Sequence, residues 1–397
     1  MVLLSLTCPD LSLKCALPPG CRLLAGGRFN SSDDLGRYLA PWRDSSQHVS
    51  FLLVLAGTRT AEQEGISAAG ATADSRRYTA VADAELLLTG PGKPRCFPLP
   101  PLAAGVTPAL ISQVACSLID LRPIVLVAGL EITPTFPHLQ VEASNLGPAA
   151  CLSSGQAMSL ERVKRLCRQG QYLVRHLQGP LLLTECVPGG TTTALAVLSG
   201  LGLSVKDLVS GSARYPPRQL KCRLVERGLA AADLAEPITA DKLLAAVGDP
   251  FQALALGLLQ GAWAREKPVM LGGGSQMVAV LALALSTRSS DLPDPLAQTV
   301  LVTTPWLAEE GKMEQLLYRL AQHFHVMPTG LSSGLRFHNS KQAALRDYEN
   351  GFVKEGVGAG ALTFLAQLRG HSRQQILQRC DNAAQQLREL QLAQRQV

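Results

Sequence analysis

Short apolar runs recur along the chain, each followed by a glycine- or hydroxyl-rich turn and then by an apolar or amphipathic stretch of helical length. Ser50–Ala56 (SFLLVLA) is apolar on both faces, the pattern of a parallel strand covered on both sides. Pro123–Leu130, Leu181–Thr184, Pro268–Leu271 and Thr299–Val302 repeat it. Between them the pattern predicts helices over Pro108–Ile119 and Phe251–Trp263, after Gly272–Met277, and from about Glu309 to His323. Another begins at Ser159, with Leu160, Val163, Leu166 and Cys167 on one face. Ser372 caps a last helix whose apolar Ile376, Cys380, Ala383, Leu387 and Leu390 step by four and three, a seam for docking on the core or for a second copy. This alternation predicts an α/β fold: an open, mostly parallel, doubly wound (Rossmann-like) sheet with its turns along one edge. Residues 1–45 and 371–397 are expected to form a small helical lobe beside an α/β core of residues 46–370.

The remaining stretches read as periphery. Ala84–Pro101 is proline-rich and reads as a surface excursion. Val209–Gly228 carries Arg214, Arg218, Lys221, Arg223 and Arg227, which read as a solvated helix face. His323 and His325 alternate as in a strand and, with no third ligand at metal spacing, read as structural. Pro268–Thr287 has no charge over twenty residues, but Gly272, Gly273 and Gly274 break it into strand, turn and helix, so no membrane span is expected.

Composition narrows the class. At 397 residues the chain is long enough for a large buried core, and 47% apolar against 17% charged residues suits well-covered strands. The net charge of +6 is small and scattered, which argues against a nucleic-acid partner. Ten cysteines at irregular spacing include no C-x-x-C pair, and the N-terminus lacks a signal-peptide pattern, so a reducing cytoplasm is expected.

The candidate chemistry centres on Pro180–Gly200. Leu181–Thr184 is a buried strand, Glu185 an acid at its carboxyl end, and Pro188, Gly189 and Gly190 a turn. Thr191, Thr192 and Thr193 then open a helix. A strand, a glycine turn and a helix start make an anion site, because free amides and the helix dipole face outward there. Four loops are expected on that sheet edge: Thr58–Ala71, Glu185–Thr193, Gly272–Met277 and Lys354–Gly360. None contains G-x-x-x-x-G-K-[ST], and G-V-G-A-G at 356–360 is a poor and late match to G-x-G-x-x-G, so neither a P-loop nor a dinucleotide domain is supported. What remains is a phosphate-bearing ligand and two carboxylates for acid–base work.

These residues resemble a known family. E-x-x-x-G-G-T-T-T at 185–193 is similar to the E-M-G-I-G-N-T-T signature of nicotinate-nucleotide–dimethylbenzimidazole phosphoribosyltransferases. K-E-G-V-G-A-G-A at 354–361 resembles their G-E-G-T-G-A, and E-G-I-S at 64–67 their E-G-V-S. V-M-L-G-G-G-S-Q-M at 269–277 resembles their V-x-x-D-G-F strand end. The matches keep the family's order across residues 50–365 and look like a divergent cyanobacterial and archaeal branch.

The resemblance implies transfer of 5-phosphoribosyl from nicotinate mononucleotide to a nitrogenous base, dimethylbenzimidazole or a related azole or purine, in cobamide lower-ligand assembly. It implies Glu355 as general base, with Glu185 near the ribose or leaving nicotinate. Gly189, Gly190, Thr191 and Thr192 would hold the phosphate, with Lys221, or failing that Arg223, as its cation. Glu64, Ser67, Gly273, Ser275 and Gly356 would line the substrate. No cofactor or metal is expected, and a homodimer is. The chain departs from the family pattern at two points. Ala56–Arg59 replaces an A-D-H-G run, and Gly272 replaces the acid of D-G-F. The lost Asp-His pair motivates an alternative, a non-catalytic nucleotide- or cobamide-precursor-binding protein on the same fold.

Overall fold

The computed structural model describes residues 16–67, 69–288 and 294–395; residues 1–15 of the expected lobe lie outside this range. Eight strands among the described residues form one sheet: β1 (Arg22–Ala25), β2 (Ser50–Ala56), β3 (Ile124–Ala128), β4 (Leu139–Gln140), β5 (Leu181–Cys186), β6 (Val269–Gly272), β7 (Thr299–Thr303) and β8 (Thr329–Ser332), in the order β1-β8-β7-β6-β5-β2-β3-β4. All pairings are parallel except β1 with β8.

Alternate residues of the central strands feed two apolar layers. Leu52, Val54, Leu181 and Leu183 face helices Leu160–Val174, Gly190–Gly200, Pro250–Trp263 and Ser275–Ser286. Phe51, Leu53, Leu55 and Leu182 face helices Ser32–Arg43, Ala73–Thr89, Ala109–Leu118, Ala359–Leu368 and Arg373–Arg395. Helices on both faces make the sheet doubly wound, which is why its strands are continuously apolar.

Strand order locates the functional edge. From β2 the chain steps outward through β3 to β4; from β5 it steps the other way through β6 and β7 to β8. β2 and β5 are neighbours in register from Ser50↔Leu181 to Leu55↔Cys186, so the direction reverses between them. The two following helices leave on opposite faces, and a crevice opens at the carboxyl ends of the strands.

The chain ends meet on the second face. β1 extends the sheet, and helix 32–43 buries Leu35, Leu39 and Trp42. Gln367 Nε2 donates to Pro19 O and Arg369 Nε to Trp42 O. The described residues expected to form a small lobe are thus layered directly on the sheet. The seam of the last helix docks within the chain, with Ile376, Cys380, Ala383 and Leu387 in the second apolar layer.

Three local expectations are corrected. Ala84–Thr89 is no surface excursion: it completes helix 73–89 with Leu86 and Leu87 buried, and Glu85 accepts from Cys96 N and Phe97 N at 2.8 Å each. His323 and His325 do not alternate along a strand; His323 lies in the last turn of helix 312–324 and His325 is its left-handed cap. Lys221 is buried, whereas Arg214, Arg218, Arg223 and Arg227 are exposed. The uncharged Pro268–Thr287 stretch divides into β6, a turn and helix 275–286, and no described helix is long and apolar enough to cross a membrane.

Candidate active site

A cavity of about 930 Å³ lies over the reversal point, lined from both sides of the sheet by Glu185, Gly189, Thr191, Lys221, Asp83 and Glu355 among others. Each arrives by a different local route.

Glu185 is the fifth residue of β5 and emerges as the strand leaves the core. Burial, then the nearby Asp249, push its carboxyl up to about 8, a backbone bond from Val187 opposes this, and Glu355 adds to the rise. Gly189 follows with φ +82°, a left-handed conformation that favours glycine, and a Cβ there would stand 3.0 Å from Ala61 N. The turn aims helix 190–200 at the cavity. Gly190 N is spent on Val187 O at 2.9 Å, whereas among the described residues Gly189 N and Thr191 N have no acceptor. Thr191 faces the cavity and its Oγ1 accepts from Lys221 Nζ at 2.7 Å. Thr192, one helical step of about 100° further, is fully buried, and its hydroxyl has no partner among the described residues. Of the residues expected to hold a phosphate, Gly189, Thr191 and Lys221 present free or charged donors to the cavity. Gly190 lines the cavity without a free amide, and Thr192 does not line it.

Lys221 reaches the site from the first turn of helix 218–232 and also donates to Ser210 O at 3.1 Å. Burial first, then repulsion by Lys354 and Lys312, lower its ammonium to about 8. Arg223, on the exposed side of the same helix, takes no part.

Glu355 sits in the segment that leads into helix 359–368. Its Oε2 accepts from Thr303 Oγ1 at 3.0 Å and Thr304 N at 2.8 Å, and its Oε1 from Gly356 N at 3.1 Å and Gly360 N at 3.2 Å. Burial raises its carboxyl to about 7 against the lowering effect of these bonds. Val357 N donates to Glu185 O at 3.2 Å, which binds the two acidic segments together.

Of the other expected residues, Ser67 and Gly356 line the cavity. Glu64 is exposed and does not line it, and neither do buried Gly273 and Ser275. The Gly272–Met277 turn lies behind the glycine turn of β5, where Gln276 stands against Gly190. Residues 99–108 and 211–217 complete the cavity instead. Gly272 has a packing reason to lack a side chain: a Cβ there would lie 2.6 Å from Ala361 Cβ. Where the family pattern has its A-D-H-G run, Gly57 and Thr58 stand for the Asp-His pair; Thr58 bridges to Ala149, and the following Arg59 pairs with Glu62 and Glu131.

Two buried acids at or beneath the cavity escape sequence reading. Asp83 is buried on helix 73–89 and lines the cavity; Thr107 Oγ1 donates to it at 2.6 Å, and burial pushes its carboxyl to about 7. Its only signal is an acid, two residues before Glu85, within an apolar helical run. Asp249 lies fully buried beneath the glycine turn, accepting from Thr193 Oγ1 at 2.5 Å and Gln276 Nε2 at 2.9 Å. It caps helix 250–263 in a capping box with Gln252, a pattern readable as D-P-F-Q. Among the described residues no group of acids, histidines and cysteines could hold a metal ion.

The chain has well-matched relatives. A phosphoribosyltransferase family model matches residues 114–292, a span that includes Glu185, the glycine turn and Lys221 but not Ser67 or Glu355. A UPF0284 protein of Prochlorococcus marinus strain MIT 9313 is 55% identical over 96% of this chain and 98% of its own length. One from Nostoc sp. strain PCC 7120 is 40% identical over 85% of this chain and 93% of its own. Two solved structures share the fold, both from Thermus thermophilus. A nicotinate-nucleotide–dimethylbenzimidazole phosphoribosyltransferase has a TM-score of 0.53 at 19% identity, covering 86% of this chain and 83% of its own. CobT has a TM-score of 0.54 at 18% identity, covering 87% and 89%.

Proposed function

We propose that this chain, which belongs to the UPF0284 family, represents a divergent branch of the nicotinate-nucleotide–dimethylbenzimidazole phosphoribosyltransferases and transfers the 5-phosphoribosyl group of nicotinate mononucleotide to an azole or purine base, releasing nicotinate, in cobamide lower-ligand assembly; the phosphoribosyltransferase family match supports this reading. The observation that carries this reading is the convergence of Glu185, Glu355 and the Thr191–Lys221 anion site on one cavity from three separate segments.

In this reading the nucleotide phosphate binds Gly189 N, Thr191 and Lys221 at the start of helix 190–200. The bond from ribose C1′ to the pyridinium nitrogen breaks, and its electron pair returns to that nitrogen, so nicotinate leaves without needing an acid. The base nitrogen forms the new bond to C1′, and its proton passes to Glu355, whose carboxyl near 7 suits a base at neutral pH. The positive charge of the bound pyridinium favours the ionised form of Glu185, which then offsets the charge of the ribosyl oxocarbenium. A cytoplasmic setting fits the eight described cysteines, all free thiols. A homodimer would have to use a surface other than the docked seam of helix 373–395; sedimentation at micromolar concentration tests it.

The experiment is nicotinate release from nicotinate mononucleotide with a panel of bases, in wild type and Glu355→Gln. Release is expected to depend on the base and to fall about 10²–10⁴-fold in the variant. A second reading has one observation on its side: four donors already occupy the Glu355 carboxylate. Nucleotide binding by calorimetry with no release for any base would favour a nucleotide-binding protein on this fold.

A further inference from the structure

Lys354 adopts a conformation that glycine takes without strain. Its φ is +67°, between Val353 at +63° and, beyond Gly356, Val357 at +53°. Side chains disfavour this region, β-branched ones most. A segment strained at three non-glycine positions keeps its shape only where its surroundings over-determine it. Local bonds supply part of that. Val353 N donates to Ser212 O at 2.8 Å and Thr304 Oγ1 to Lys354 O at 2.5 Å.

The Lys354 side chain supplies the long-range part. It is buried beneath the cavity wall, with Nζ 2.6 Å from Glu310 Oε1, 3.3 Å from Ser210 Oγ and 3.2 Å from Ala213 O. Ser210 Oγ donates to Glu310 Oε2 at 2.7 Å, and Ser210 O accepts from Lys221 Nζ. Contacts therefore run without a break from the residue beside Glu355 to the lysine that faces Thr191. Lys312 and Lys354 share the single carboxylate of Glu310, while Lys221 lies near enough to be repelled by both, and a phosphate on Lys221 would offset that repulsion.

We infer that Lys354 is a positioning residue: its ion pair with Glu310 holds the left-handed 353–357 segment so that Glu355 meets the cavity, and ties that segment to the anion site. The kinetic consequence rests on the transfer reaction proposed above; the structural consequence does not.

A double-mutant cycle of Lys354→Met, Glu310→Gln and the pair tests it, because removing one partner strands a buried charge and removing both does not. Hydrogen exchange at 353–358 is expected to quicken at least about tenfold in each variant, without a matching rise in the sheet. Nicotinate release is expected to lose roughly 10–100-fold in kcat, with the nucleotide KM of the double variant within about threefold of wild type. The double variant should be no worse than Lys354→Met. Lys312→Met, whose Nζ is 3.7 Å from Glu310, should leave exchange at 353–358 unchanged. Lys354→Gly relieves the backbone while deleting the tether, and its segment should exchange as fast as in Lys354→Met. Wild-type exchange at 353–358 in both Lys354→Met and Lys354→Gly overturns the inference, as does a loss confined to KM. No release from any protein, with exchange still quickened at 353–358, overturns the transfer reaction and supports the tether.

Discussion

Glu185 shows what a partly buried acid costs a fold. Its carboxyl is raised from 4.5 to about 8, and Asp83, Asp249 and Glu355 are raised as well. A carboxyl with a raised folded value is more protonated in the folded than in the unfolded chain between the two values. Stability is therefore greatest below the unfolded value and declines as pH rises through the folded one. The ligand-free protein is expected to unfold at lower denaturant concentration at pH 8 than at pH 5. Glu185→Gln should recover ~1–3 kcal/mol at pH 8 and little at pH 5, since a tenfold change in proton affinity is worth about 1.4 kcal/mol and the carboxyl is only half-buried. A stability that is flat or rising from pH 5 to 8 would show that the four acids are not held as described.

Helix 359–368 and β7 approach so closely that only glycine fits between them. A Cβ on Gly360 would fall 2.1 Å from Thr303 C and 2.3 Å from Thr304 N. The same glycine donates its amide to Glu355, so helix packing and acid placement are one constraint. Gly360→Ala is expected to lower unfolding free energy by about 1–3 kcal/mol or more, as overpacking does. It should also slow nicotinate release beyond the stability loss, because the helix start carries Glu355's donors. A variant as stable as wild type in denaturant melts would mean the helix can move off β7. The sequence reading found these elements well, because a strand, a glycine turn and an apolar helix are written in neighbouring residues. It missed how the Gly272–Met277 turn is used. That turn's rank behind β5 depends on strand order, which no local pattern carries.

Across the whole molecule, one ligand would join segments from both faces of the sheet, since the cavity borrows from helices 73–89, 218–232 and 373–395. Binding to the folded state alone stabilises it by about 2.7 kcal/mol at a hundredfold excess over Kd. Nicotinate mononucleotide is therefore expected to raise the melting temperature. The rise should be smaller at pH 9 than at pH 7, because Lys221, near 8, has lost its proton by then and offers the phosphate no charge. An equal shift at both pH values would remove Lys221 from the phosphate site.

The sequence by itself determined the doubly wound sheet, the glycine turn and helix start after β5 and the two acids Glu185 and Glu355 beside glycine loops. All are fixed by short-range pattern: apolar runs demand cover on both faces, and glycine followed by threonine opens a helix. Tertiary structure alone decided which groups those features meet. Pattern alone made Lys221 one cation of a solvated face, and only the resemblance set it apart; the fold buries it against Thr191, thirty residues away. Asp249 reaches Thr193 across 56 residues, and Lys354 reaches Ser210 across 144. Burial, charge pairing and proton affinity are properties of such distant meetings, and only a folded chain brings them about.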